Sequence, residues 1–473
     1  MDFSDNLKEL KRNTKHGNNI RHKNDTSRII PFVHRGQRPI YKHGFYNIIG
    51  HLSRYILEYE WDINLLNQLI PNLLNNIQGN NEDKILFKML LNEFLFNKHN
   101  NIIISHPFLF LFAPPSYIKK EDENNTNYIN KTNGERELAL FFKHVLFNNF
   151  EEIYSFFSDK NSDNYILKFI LDNIEINKHD YNEKPFYPIL TNVIDMFQED
   201  FRFAMNHHSF LLENIDHILA YYYFFYSTQL IMKIHNDFDF CKDDDHTIEE
   251  AFYLLDGEIA QDYRKAVYVG YNSINVWVEE LLCKIYVIDQ LNILLGKKDY
   301  MWGDILNFFE NELNSNDQKK FFENVRTWVK YYSDIRNITI QDLPSEPNTT
   351  NLKFLINILY KCLMDENGVK KGTRESRYPL NLLELGKNFH LVKFRGIYKY
   401  TLNLTNDMLL LLTALSVKDK TNMKINELFL EFERRGIFLD SQSQDEVFNF
   451  LNKRNLIDEK SDSEEAKYVK PIL

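Results

Sequence analysis

The chain has 473 residues and a mass of 56.8 kDa, enough for two or three domains and a sizeable core. Hydrophobic residues make up 44% and aromatic residues 15%, which excludes an intrinsically disordered chain; 15 Gly and 12 Pro exclude a collagen-like or Pro/Gly low-complexity one. The net charge is -11, yet residues 1–45 carry ten Lys/Arg against four Asp/Glu, so the remaining 428 residues are strongly acidic.

Residues 1–45 therefore read as a basic, mobile N-terminal arm, polar and poor in large apolar side chains. The arm opens with charge instead of the apolar run of a signal peptide. Cys241, Cys283 and Cys362 are too far apart for a Cys-x-x-Cys zinc site and odd in number, so a reducing cytoplasm is the expected compartment.

From Tyr46 the apolar spacing is helical. Leu138, Phe142, Val145, Phe150 and Ile153 fit one stripe, Ile274, Val278, Leu281, Ile285 and Ile288 a second, and Phe321, Val325, Trp328, Val329 and Tyr332 a third. Between helices, Lys119–Gly134, Asn236–Thr247 and Gln341–Asn348 read as Asn- or Asp-rich surface loops. The most apolar stretch, Ile218–Ile234, contains Gln229 and Lys233 and reads as a buried helix, not a membrane span. A second basic segment, Val369–Lys399, holds eight Lys/Arg against Glu375 and Glu384, an excess that can neutralise phosphates or dock an acidic partner.

The C-terminal part has a different grammar. Thr405 can cap a helix over Asn406–Val417 whose face is Met408, Leu411, Leu412 and Leu415. A short extended piece, Met423–Ile425, leads to a helix capped by Asn426 and stopped at Gly436. Ser443 and Glu446 have the spacing of a capping box for a third helix carrying Val447, Phe450 and Leu451. Leu456–Ile457, a turn at Ser461–Ser463 and Ala466–Val469 complete the order helix, strand, helix, helix, strand, turn, strand, which is that of a winged helix. The expected fold is mainly α: a multi-helix body over 46–395 and a winged-helix-like α/β domain over 396–473.

In a DNA-reading winged helix the third helix enters the major groove and the wing touches backbone or minor groove. The candidate nucleic-acid-binding residues are Asn449, Lys453 and Arg454 on that helix, Lys460 and Lys467 at the wing, and Lys393 and Arg395 just before the domain. Asp445, Glu446, Asp462, Glu464 and Glu465 lie close by in sequence and repel phosphate, so a protein-docking winged helix reads much the same.

A phosphate-cradling loop needs G-x-x-x-x-G-K-[ST], and Gly368–Thr373 has neither the spacing nor the lysine. Asp237, Asp239, Asp243, Asp244 and Asp245 crowd together between His235 and His246, but an EF-hand started at Asp237 breaks at Cys241, Lys242 and Ile248. His207, His208, Glu213 and His217 lack the H-E-x-x-H pattern of a zinc hydrolase. Glu82–Lys84 and Asp458–Lys460 are the textual hints of an E-x-K nuclease core, and neither has the strand context it needs. No catalytic residue, metal or cofactor is expected.

The segments YTLNLTNDMLLLLTALSVKDK, INELFLEFERRGIFLD and LNKRNLIDEKSDSEEAKYVKPIL resemble the C-terminal region of the DptG family, over roughly the last hundred residues. That resemblance implies a component of a bacterial DNA phosphorothioation-dependent restriction system, with NTPase motifs on DptF-like and DptH-like partner subunits and modified self DNA spared. It supplies no catalytic motif to carry over. The expected function is a non-catalytic DNA-binding and assembly subunit working on double-stranded DNA. Two alternatives stay open: a metal-dependent nuclease subunit using the Asp237–Asp245 loop, and a purely protein-binding scaffold.

Overall fold

The structure, a computed structural model, describes residues 3–16, 19–20, 28–29, 37–60, 63–98, 102–115, 126–174, 178–236, 240–241, 247–340, 342–364, 379–421, 423–459 and 467–473. It is mainly helical, as the periodicity requires. The longer helices of the first half are α1 (Ser4–Thr14), α2 (Tyr46–Leu57), α3 (Ile63–Asn75), α4 (Asn81–Leu95), α5 (Thr126–Phe141), α6 (Glu152–Ser158), α7 (Tyr165–Asp172), α8 (Thr191–Met205) and α9 (His208–Asn236). The second half adds α10 (Tyr271–Leu295), α11 (Ser315–Arg336), α12 (Thr349–Leu363), α13 (Pro379–Asn388), α14 (Asn406–Val417), α15 (Ile425–Arg434) and α16 (Ser441–Lys453).

Among the described residues, two three-stranded sheets accompany them, besides a short antiparallel pair of Lys15–His16 with Asn19–Ile20. Strands β1 (Tyr253–Leu255), β2 (Val392–Phe394) and β3 (Tyr400–Leu404) form the first in the order β1-β3-β2, with β1 parallel and β2 antiparallel to β3. Strands β4 (Met423–Lys424), β5 (Ile457–Glu459) and β6 (Lys467–Val469) form the second, antiparallel, in the order β4-β6-β5.

The chain divides into two compact units, one of residues 1–32, 187–196 and 221–473, the other of 33–186 and 197–220. These limits differ from the expected body and C-terminal domain. The reason lies in β3, which pairs with β1 about 150 residues earlier (Tyr253 beside Leu402), so the C-terminal elements share a unit with the helices from Tyr221 onward.

The expected mobile arm needs correction over residues 3–14. Phe3, Leu10 and Thr14 are buried and Leu7 half-buried, a 3–4 spacing that gives α1 an apolar face against α10 and α11. Phe3 meets Phe321 edge-on at 5.7 Å, the Asn6 amide donates to Leu294 O (3.0 Å), and the Lys11 ammonium sits over the Tyr331 ring. Counting charges hid this stripe, because the exposed Lys8 and Arg12 occupy the other face of α1. Most of the arm beyond α1 lies outside the described residues.

Every residue from Ile218 to Ile234 is buried within α9. Its polar members are accommodated locally: Gln229 exchanges two hydrogen bonds with the Glu249 backbone (2.8 and 3.0 Å), and Lys233 reaches Thr247 Oγ1 at 3.4 Å. Among the described residues no helix is long and apolar enough to cross a membrane. The stripes on α10 and α11 are buried along their length. The stripe from Leu138 to Ile153 is also buried but not one helix: α5 ends in a π-turn at Phe142–Leu146, and Asn149 at φ 55° breaks the chain before α6. The loop expected through Gly134 ends earlier, because α5 begins at Thr126.

In the second unit, α2 packs on α5 and on the turn Pro107–Phe112. The approach is close at Gly50, where a Cβ would come within 2.7 Å of Ala113 Cβ. Arg54 is buried there and donates from Nη1 to Leu111 O (2.9 Å) and Ala113 O (2.7 Å), closing carbonyls that the turn leaves open.

Candidate nucleic-acid interface

The described C-terminal helices and strands follow the order read from the sequence, and the turn expected at Ser461–Ser463 lies outside the described residues. Thr405 Oγ1 accepts from the Met408 amide at 3.2 Å and starts α14, whose Met408, Leu411, Leu412 and Leu415 are all buried. Arg435, at the end of α15, donates to Glu431 Oε2 (2.8 Å) and to Leu415 O (3.1 Å), tying α15 to α14. Gly436 follows at φ 77°, the left-handed geometry a helix C-cap asks of glycine. In the sheet, Val469 of β6 lies between Met423 of β4 and Ile457 of β5.

Two caps differ from expectation. Helix α15 starts two residues earlier than a cap at Asn426 predicts, with Lys424 as its cap and Glu427 Oε2 accepting from the Lys424 amide (3.0 Å). Helix α16 is capped by Asp440, whose Oδ1 accepts from the Ser443 amide (3.0 Å), so Ser443 does not act as the cap. The Ser443 hydroxyl is drawn inward instead: it donates to Glu258 Oε2 (2.8 Å) and accepts from Arg264 Nη2 (2.7 Å).

Arg264 is the centre of this contact, with its side chain 1% exposed. It forks onto Asp440 (Nε to Oδ2 2.7 Å, Nη2 to Oδ1 2.8 Å) and reaches Glu258 Oε1 at 2.7 Å. Burial alone would raise the Asp440 carboxyl, but hydrogen bonds from Arg264 and the Ser443 amide outweigh it and leave its pKa below the usual carboxylate range. Burial would lower the Arg264 pKa, but its hydrogen bonds to Asp440 and Glu258 outweigh that and raise it. The first turn of α16 is thus fixed to the segment after β1. No local signal announced this, since the partners are 176 residues apart.

The outward face of α16 is polarised along its length. Asp445 and Glu446 are exposed in its first half; Asn449, Asn452, Lys453 and Arg454 are exposed toward and just beyond its end. Two aromatic side chains support the cations. The Arg454 guanidinium lies over the Phe450 ring at 4.7 Å, and Lys467 of β6 places its ammonium over Phe448 at 4.0 Å. Asn449, Lys453, Arg454 and Lys467 therefore belong to one small domain, and Lys460 lies outside the described residues.

The remaining two candidates serve other partners. Lys393 on β2 is paired with Asp256 (Nζ to Oδ1 2.8 Å), half-exposed. Arg395 turns inward: it donates to Thr401 Oγ1 (3.0 Å), Asn403 Oδ1 (2.9 Å), Leu255 O (2.9 Å) and Glu258 O. Its donors brace the β2–β3 turn against the segment after β1, so it is removed from the set of surface contacts.

Of the segments weighed for chemistry, Gly368–Thr373 and most of Asp237–His246 lie outside the described residues. Glu82–Lys84 opens α4, where Asp83 closes a capping box with Asn80. Among the described residues, no group of three or more His, Cys, Asp and Glu is placed to hold a metal ion. Comparison with known proteins finds no matching family model and no matching curated protein.

Proposed function

We propose that this chain is a non-catalytic DNA-binding and assembly subunit of a phosphorothioation-dependent restriction complex, acting on double-stranded DNA with DptF-like and DptH-like NTPase partners. The observation that carries the DNA part is the exposure of Lys453 and Arg454 at the C-terminal end of α16, with Arg454 seated over Phe450 and Lys467 of β6 over Phe448 of the same helix. The restriction context rests on the resemblance of the last hundred residues.

The polarity of α16 sets the mode of contact. Its N-terminal half, the end that reads bases in helix-turn-helix docking, presents Asp445 and Glu446 and is fixed through Asp440 and Ser443. Contact falls to its C-terminal end and β6, where cations meet phosphate with little sequence preference. Anisotropy titration of a labelled duplex tests this, with the Lys453→Gln/Arg454→Gln chain expected to bind more weakly.

A second reading is favoured by the same two carboxylates: the mixed-charge face of α16 docks protein. Under that reading the double variant loses partner association in co-purification and leaves duplex affinity untouched.

A further inference from the structure

Helix α4 carries apolar side chains all round, the pattern of a helix covered on every side, yet only one side is covered. Leu91 and Leu95 are buried and Phe87 meets Phe169 edge-on at 6.1 Å. On the other side Ile85, Leu86, Met89 and Leu90 are 59%, 66%, 58% and 42% exposed. At about 100° per residue these four span an arc of about 140°, and Glu82 and Glu93 lie within about 10° of its midline, one at each end and about 16 Å apart along the axis. Both glutamates are exposed, and Lys84 and Lys88 fall outside the arc.

We propose that this face of α4 is a docking surface for a different protein, one offering an apolar groove with a Lys or Arg at each end. Charge selects the occupant. A second copy paired antiparallel across the Leu86–Met89 centre sets Glu82 against Glu93, and a parallel pairing sets each glutamate against itself; like charges repel in both. A lipid surface is opposed by the same carboxylates, since anionic headgroups recruit cationic helices. A groove that takes the helix by anchors at i, i+1, i+4 and i+5, with basic ends, satisfies every group on the face. The patch is on the order of a few hundred Å², in the range that marks interaction sites. That is below the roughly 800 Å² per partner of a standard interface, so the groove also contacts the flanks of the helix. The surface belongs to the second unit and is independent of the DNA reading of α16.

The test is site-specific photo-crosslinking in the native cell, with benzoyl-phenylalanine at Met89 of the full chain and the crosslinked peptide identified by mass spectrometry. The expected result is one dominant adduct to a different protein, on an apolar segment flanked by Lys or Arg. Its yield falls at least tenfold in E82K/E93K and returns when the captured basic residues are reversed to Glu. The thermal midpoint of the variant is measured alongside, and E82Q/E93Q replaces it if the lysine pair unfolds the helix. No adduct, an adduct to a second copy, scattered adducts to many proteins, or a yield indifferent to Glu82 and Glu93 overturns the proposal. So does flotation of the purified chain with phosphatidylcholine vesicles that is abolished by L86D, which would assign the face to lipid.

Discussion

Arg264 and Asp440 show what a single buried side chain decides. Replacing Arg264 by Met leaves the Glu258 and Asp440 carboxylates facing each other beneath the surface, and uncompensated buried charge of this kind costs about 3–5 kcal/mol. R264M should therefore lower the urea midpoint sharply. R264M/D440N should cost less than the sum of its parts, because each substitution removes the other's unpaired charge. Additive losses would show that the two side chains do not act together. The pH dependence has a defined sign. The Asp440 pKa is lowered in the folded state, so its contribution is present above the ordinary carboxylate value of about 4 and is lost as pH falls through the lower folded value. The stability gap between wild type and D440N should be constant from neutral pH to about pH 5 and narrow below about pH 4. A gap that widens on acidification contradicts this assignment.

Among the elements, α1 carries the clearest correction. Leu10 is 1% exposed against α10 and α11, so Leu10→Ala should destabilise the protein by about 2–5 kcal/mol and bring early proteolysis near residue 10. A loss below about 0.5 kcal/mol, the size expected at the surface, would restore the mobile arm. Helix α14 was legible because Thr405, a four-residue apolar face and the break after Val417 agree with one another; α10 and α11 were legible from periodicity alone. The start of α16 was misplaced because Ser443 and Glu446 have capping-box spacing, whereas Arg264, far away in sequence, draws the Ser443 hydroxyl inward and Asp440 caps the helix. Strands β1 and β3 were missed for a related reason: three to five residues carry little pattern, and their parallel pairing spans about 150 residues with no turn to announce it. Arg395 looked like a surface cation because its acceptors, Leu255 and Glu258 carbonyls among them, come from that same distant segment.

For the whole molecule, the two compact units carry surfaces of different chemistry: the apolar face of α4 belongs to one, and the exposed Lys453 and Arg454 at the end of α16 to the other. The net charge of -11 repels DNA at long range, so any affinity has to come from a local positive site and has to depend on salt. The most direct measurement is the dependence of duplex affinity on salt for the wild-type chain and for Lys453→Gln/Arg454→Gln. The account predicts weaker binding and a slope of log affinity against log salt reduced by about two units in the variant, because two phosphate-neutralising charges are lost while the buried face of α16 is untouched. Equal affinity and an equal slope for the two chains would contradict it and remove DNA contact from the winged helix.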